Sequence, residues 1–180
     1  SDWSSDVCSS DLEGAWRYLN RLYRLASEPA APLPPAGAGK PNELSAKADA
    51  ALRAIHKAVA AVSENLEALR FNVAVAQVRT LSNALEELDG KGSGEAWVLR
   101  EGTETLARLV APMIPHLAEE MWAALGHQSL LCDQPWPKAD PALLVDDQVT
   151  VAVQVNGKLR ATVALARDAA EDVARAAALA

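Results

Sequence analysis

The sequence predicts a mainly α chain: an up-and-down bundle of four or five helices, then a partial α+β domain made of a β-hairpin and a helix. Three observations carry this expectation. Apolar residues recur at spacings of three and four between Trp16 and Leu125. Beyond the "QPWPKAD" stretch the apolar period drops to two. Half of the 180 residues are hydrophobic, with much alanine and only 4% aromatics, a composition that favours helices.

The first predicted helix is "EGAWRYLNRLYRLAS" (13–27), where Trp16, Leu19, Tyr23 and Ala26 form the stripe expected to pack. Arg17, Arg21 and Arg24 share another face. The segment 28–42, with five prolines and two glycines, reads as a loop or extended linker. Leu52, Ile55, Val59, Val62, Leu66 and Leu69 then make an a/d seam, the mark of a long packed helix. Asn72 is the expected N-cap of the next helix, which carries Val75, Val78, Leu81, Leu85 and Leu88 and stops at "DGKGSG".

A fourth helix starts near Glu95 with Trp97, Leu106, Leu109, Val110 and Met113. Pro112 and Pro115 interrupt it, Pro115 suiting a first helical turn and Gly126 a C′ stop. Trp16, Trp97 and Trp122 fall on apolar stripes and are expected in the core. Trp136 either locks a connecting loop onto the bundle or covers the hairpin.

"VTVAVQVNGKLRATVAL" predicts the hairpin, with Asn156-Gly157 at its turn. A three-residue loop, Val155-Asn156-Gly157, with Gly157 left-handed in a G1 bulge, pairs Val153 with Leu159 and places the aliphatics on one face. Gln154, Lys158 and Arg160 then lie on the polar face. Asp168 and Glu171 form a capping-box pattern for the last helix. The hairpin and short helix hold little core, so residues 139–180 read as a truncated domain.

The opening "SDWSSDVCSSDL" (1–12) fits neither period and has no signal-peptide organisation. Translated back into codons, Asp2 to Leu12 resembles a sequencing-library adapter. It is expected to be non-native and without ordered structure. The chain therefore divides into this leader, a helical domain at 13–138 and the truncated α+β domain at 139–180.

The net charge of -7 is uneven. Residues 1–12 carry -3, residues 13–70 carry +2, residues 71–138 carry -4 and residues 139–180 carry -2. A basic stretch inside an acidic chain keeps nucleic acid open as a partner. The two cysteines, Cys8 and Cys132, form no zinc-binding spacing, and a reducing cytoplasmic setting is expected. No run reaches the ~20 apolar residues that span a bilayer.

"GAWRYLNRLYRLA", "LRAIHKAVAAVSENLEALRFNVAVAQVRTLSNAL", "LVAPMIPHLAEEMWAALG", "PWPKADPALLVDDQVTVAVQVNGKLRATV" and "DAAEDV" resemble, in the same order, the C-terminal part of bacterial leucyl-tRNA synthetases. The resemblance runs from Glu13 to Ala180. "PHLAEEMW" is similar across several class I synthetases, whereas "VQVNGKLR" after "PWPKAD" is far more specific to the leucine enzyme and disfavours the valine and isoleucine enzymes. It implies a helical anticodon-binding-type domain that grips leucine-accepting tRNA and packs, as a monomer, on a catalytic domain encoded elsewhere in the parent. The parent would be an ATP-dependent leucine–tRNA ligase. The family's HIGH- and KMSKS-type motifs have no counterpart here, so ATP and Mg belong to the parent's catalytic domain, and this piece holds no cofactor, metal or catalytic residue.

RNA contact needs cations that reach phosphates. The candidates are Arg17, Arg21 and Arg24 on one helical face, Arg53 and Lys57 one turn apart, and Lys158 and Arg160 on the hairpin. The bland alternatives are a solvated helix face and strand-edge protection. His56 is expected to be a satisfied boundary histidine and His116 structural. Glu119 and Glu120 suit the start of a helix. The competing function is an acidic helical protein-interaction module with no RNA role.

Overall fold

The computed structural model describes residues 5–145, 148–155, 158–166 and 169–179, which form two compact units, Ser1–Asp140 and Pro141–Ala180. The first unit is built around α4 (Glu95–Val110), a helix with 12 of its 16 residues buried. A helix apolar on one stripe needs one neighbour; one buried nearly all round needs several. α4 packs against α2 (Ala46–Glu67), α3 (Phe71–Glu86) and α5 (Pro115–Ala124). α1 (Ser5–Ser27) packs on α5.

Gly102 permits the tight approach at the centre. A Cβ at that position would run into the Leu85 side chain and lie 3.0 Å from Ile55 Cδ1. The surrounding layer of Leu52, Ile55, Leu81, Leu85, Leu106 and Leu109 is essentially inaccessible. Each such side chain contributes about 2 kcal/mol of burial free energy.

The a/d seam is buried as expected from Leu52 through Val62, but it does not run to Leu69. α2 ends at Glu67, and Leu69 takes a left-handed φ of 56° at 74% exposure. That turn also displaces the predicted cap: α3 starts at Phe71, so Asn72 lies inside the helix, and Arg70 precedes it without a side-chain cap. α2 itself is capped by Ser45, whose Oγ accepts the Ala48 N–H at 3.1 Å and donates to Glu95 Oε1 at 3.0 Å. One hydroxyl thus ties together the starts of α2 and α4. Pro115 opens α5 and Gly126, at φ 87°, follows its end, both as the sequence indicates.

Two expectations for the first helix need correction. α1 begins at Ser5, so residues 5–12 of the leader are helical and continuous with α1, where absence of structure was expected; residues 1–4 lie outside the described residues. Continuing the helix upstream gives the amides after Leu12 intrahelical partners and moves the unsatisfied first turn to Ser5. The predicted stripe packs only in part, with Leu19 half-buried. Leu22 and Ala26 are buried, while Trp16 is 66% and Tyr23 37% exposed.

The second unit contains α6 (Pro141–Leu144), an antiparallel pair β1 (Gln148–Val155) and β2 (Lys158–Ala166), and α7 (Glu171–Leu179) against β2. Val155 pairs with Lys158, so the connection has two residues, and the predicted three-residue loop is overturned. The left-handed Gly157 and the Asp168 cap lie outside the described residues. The extra residue falls instead in β2: Gln154 opposes Leu159 and Val153 opposes Ala161, leaving Arg160 unpaired in a bulge. This restores the parity that places Val151 opposite Val163 and Val149 opposite Leu165. Two half-steps, turn and bulge, replace the single three-residue loop.

Gly102→Val should lower unfolding stability by about 2 kcal/mol through overpacking between α2, α3 and α4. Urea denaturation measures it, and an unchanged midpoint would contradict the close approach.

Candidate nucleic-acid interface

α1 presents the main cationic face and is fixed to the bundle by polar as well as apolar contacts. The Tyr18 hydroxyl and Ser82 Oγ lie 3.2 Å apart, and the Arg79 guanidinium sits 4.5 Å over the Tyr18 ring. Burial pushes the Tyr18 phenol up, so it is neutral at pH 7 and holds its hydrogen bond. Arg21 grips both carboxylate oxygens of Glu86 and donates to Asn83 Oδ1 at 2.8 Å. Its ordinary pKa is raised further, chiefly by that hydrogen bond to Glu86.

The three predicted cations of α1 therefore separate. Arg21 is committed to an interhelical fork, a geometry suited to guanidinium and carboxylate. Arg17 is 72% exposed in its side chain, with Glu13 at 4.0 Å, a separation that contributes little in water. Arg24 is exposed and lines, with Arg21, Glu28 and Glu86, a cavity of about 230 Å³ beneath the start of the 28–42 loop. On α2, Arg53 is held by Asp49 at 3.0 Å and is partly buried, and Lys57 lies one turn further on. In the second unit Arg160 is exposed at the bulge, and the Lys158 side chain lies outside the described residues.

Of the tryptophans, Trp122 is buried as expected and Trp97 half-buried, its Nε1 donating to the Ala38 carbonyl at 2.8 Å. That bond fastens the proline-rich loop to α4. Trp136 donates to Ser63 Oγ at 2.8 Å, and the Asp140 N–H donates to His56 Nδ1 at 3.0 Å. Both hold the 127–140 segment on α2, which settles the role of Trp136 and satisfies His56. Burial lowers the His56 pKa, so the ring stays a neutral acceptor for that amide.

The sequence did not reveal two polar assemblies. Glu119 accepts the N–H groups of Leu131 (2.8 Å) and Cys132 (3.0 Å), capping a 3-10 turn at Leu131–Asp133. These amides hold its carboxyl below the usual range, the Leu131 bond foremost. On α4, Arg100 and Glu104 pair one turn apart, both about 90% buried. His127 Nε2 reaches Glu104 Oε1 at 2.9 Å, and its ring stacks on Trp122 at 3.6 Å. An i, i+4 Arg–Glu pair is a familiar surface pattern; only the return of α5 and His127 buries this one.

This arrangement of helices has known counterparts. The family profile described as the anticodon-binding domain of tRNA ligase matches residues 49–175. The chain belongs to that family. A leucine–tRNA ligase of Paramagnetospirillum magneticum is 55% identical over 99% of this chain, and one of Rhodospirillum rubrum is 54% identical over 99%. The match covers 20% and 21% of those proteins, so this chain spans about one fifth of their length. A crystal structure of a ternary complex of Agrobacterium radiobacter K84 agnB2 LeuRS with tRNA and LeuAMS superimposes with a TM-score of 0.70. That comparison has 30% identity and covers 91% of this chain and 21% of the other.

Within this anticodon-binding domain, no group of three His, Cys, Asp or Glu among the described residues could hold a metal ion. No helix of the described residues is long and apolar enough to cross a membrane.

The Glu119 cap has a pH signature. A carboxyl depressed on folding stabilises at pH values above its ordinary pKa, and the contribution disappears as pH falls through the folded value. Glu119→Gln should therefore lower stability at pH 7 and do so progressively less below the normal carboxylate range. Urea midpoints across pH check this; a pH-independent difference would contradict it.

Proposed function

We propose that the chain is the tRNA-holding part of a leucine–tRNA ligase, and that its parent attaches leucine to tRNA with ATP. The observation that carries this reading is the identity above 50% to leucine–tRNA ligases across nearly the whole chain. The likeness to a synthetase complex containing tRNA supports the choice of ligand. ATP and Mg chemistry is assigned to the four fifths of the parent outside this chain. The parent works in the cytoplasm as a monomer, and this domain packs on its catalytic portion.

Recognition here is electrostatic. Arg17 and Arg24 reach from one edge of α1, and Arg160 from a bulge, a device that re-aims a side chain out of the ladder. Arg21 and Arg53 serve mainly to hold their helices, because each has a carboxylate partner. No group for acid–base or nucleophilic work is needed, since the domain positions a substrate and leaves the chemistry to the rest of the enzyme.

Gel-shift titration with leucine-accepting tRNA should show log Kd rising with log salt. Arg17→Ala with Arg24→Ala should weaken binding and reduce that slope by about one per lost phosphate contact. Arg21→Ala should chiefly lower the melting temperature. Salt-independent affinity, or a slope unaltered by the double change, would favour the protein-interaction reading instead.

A further inference from the structure

The predicted stripe Trp16, Leu19, Tyr23 and Ala26 has the 3- and 4-residue spacing of a packed helical face, yet of these four only Ala26 is fully buried. At 100° per residue, Leu22, Ala26, Leu19, Tyr23 and Trp16 follow one another around a single apolar arc of about 120°, a third of the helix. The bundle covers only part of that arc. Trp16 remains 66% exposed. Between α1 and α5 the uncovered sector forms an open groove of about 380 Å³, lined by Trp16, Leu19, Asn20, Tyr23, His116, Leu117 and Glu120.

We propose that this groove is the docking surface for an apolar helix from the remaining portion of the parent ligase; this rests on reading the chain as one part of a longer leucine–tRNA ligase. Four observations select that occupant. The lining includes a carboxylate and no Lys or Arg, which opposes nucleic acid. The uncovered face, a single groove lined by seven residues, is small beside the ~800 Å² that each partner contributes to a stable association between separate molecules. A tethered segment meets the groove at a high effective concentration, so a small patch suffices. The matched relatives are about five times longer than this chain, since it covers 20% of the first of them. The aromatic spacing fits the side-chain ridges of an incoming helix.

The test is cysteine labelling at Trp16→Cys, and separately at Tyr23→Cys, read at each site by peptide mass with a water-soluble maleimide. It compares the 180-residue chain with the full-length Paramagnetospirillum magneticum ligase whose matching segment is replaced by this chain. Rates are referenced to the same proteins unfolded in urea. Both sites should label at least ten-fold more slowly in the full-length protein, without tRNA. Equal rates would overturn the proposal. So would protection in the isolated chain that grows with its concentration, which means a second copy, or protection that requires added tRNA. Leucylation by the same full-length protein is scored separately: charging with unprotected sites sinks this inference alone, and no charging sinks the ligase reading.

Discussion

The enclosure of α4 is the constraint on which the first unit depends. A helix with so little surface left must be covered by α2, α3 and α5 at once, and Gly102 is the position that lets Leu85 and Ile55 close on it. Part of its buried charge is matched: Glu95 Oε1 by Ser45, and Arg100 with Glu104 and His127, while Glu95 Oε2 and Arg108 Nε are buried without a hydrogen-bond partner among the described residues. A buried pair missing one partner is strongly destabilising, so these contacts specify how the chain must return after α5.

Function follows from what such a frame leaves outside. The interior is occupied by side chains, so the chain offers faces. One is charged and hydrophilic, at Arg17 and Arg24; another is apolar, at Trp16 and Tyr23. Arg21, between them in sequence, is drawn inward by Glu86 and links the face to α3. A single helix thus presents a charged edge and an apolar one in different directions.

Much of the fold was legible because periodicity reports directly on packing. The seam from Leu52 to Val62, the proline start of α5 and the Gly126 stop were all readable from spacing and backbone chemistry. Where the reading failed, a non-local fact decided. Leu69 continues the seam arithmetically, but the chain has already turned. Trp16 lies on an apolar stripe, but a stripe does not say which partner covers it. In the hairpin, the parity of the aliphatics was legible, while the placement of the extra residue at Arg160 was not. Of the cations, charge and spacing named the set; only the contacts showed that Arg21 and Arg53 are held by carboxylates.

The proposal that this chain holds tRNA requires RNA to touch particular residues of it. Photo-crosslinking leucine-accepting tRNA to the protein, with the attached peptides mapped by mass, tests that most directly. Attachment should concentrate on the α1 peptide bearing Arg17 and Arg24 and on the β2 strand bearing Arg160, and should fade as salt is raised. Crosslinks spread evenly over the surface, or absent from both peptides, would contradict it.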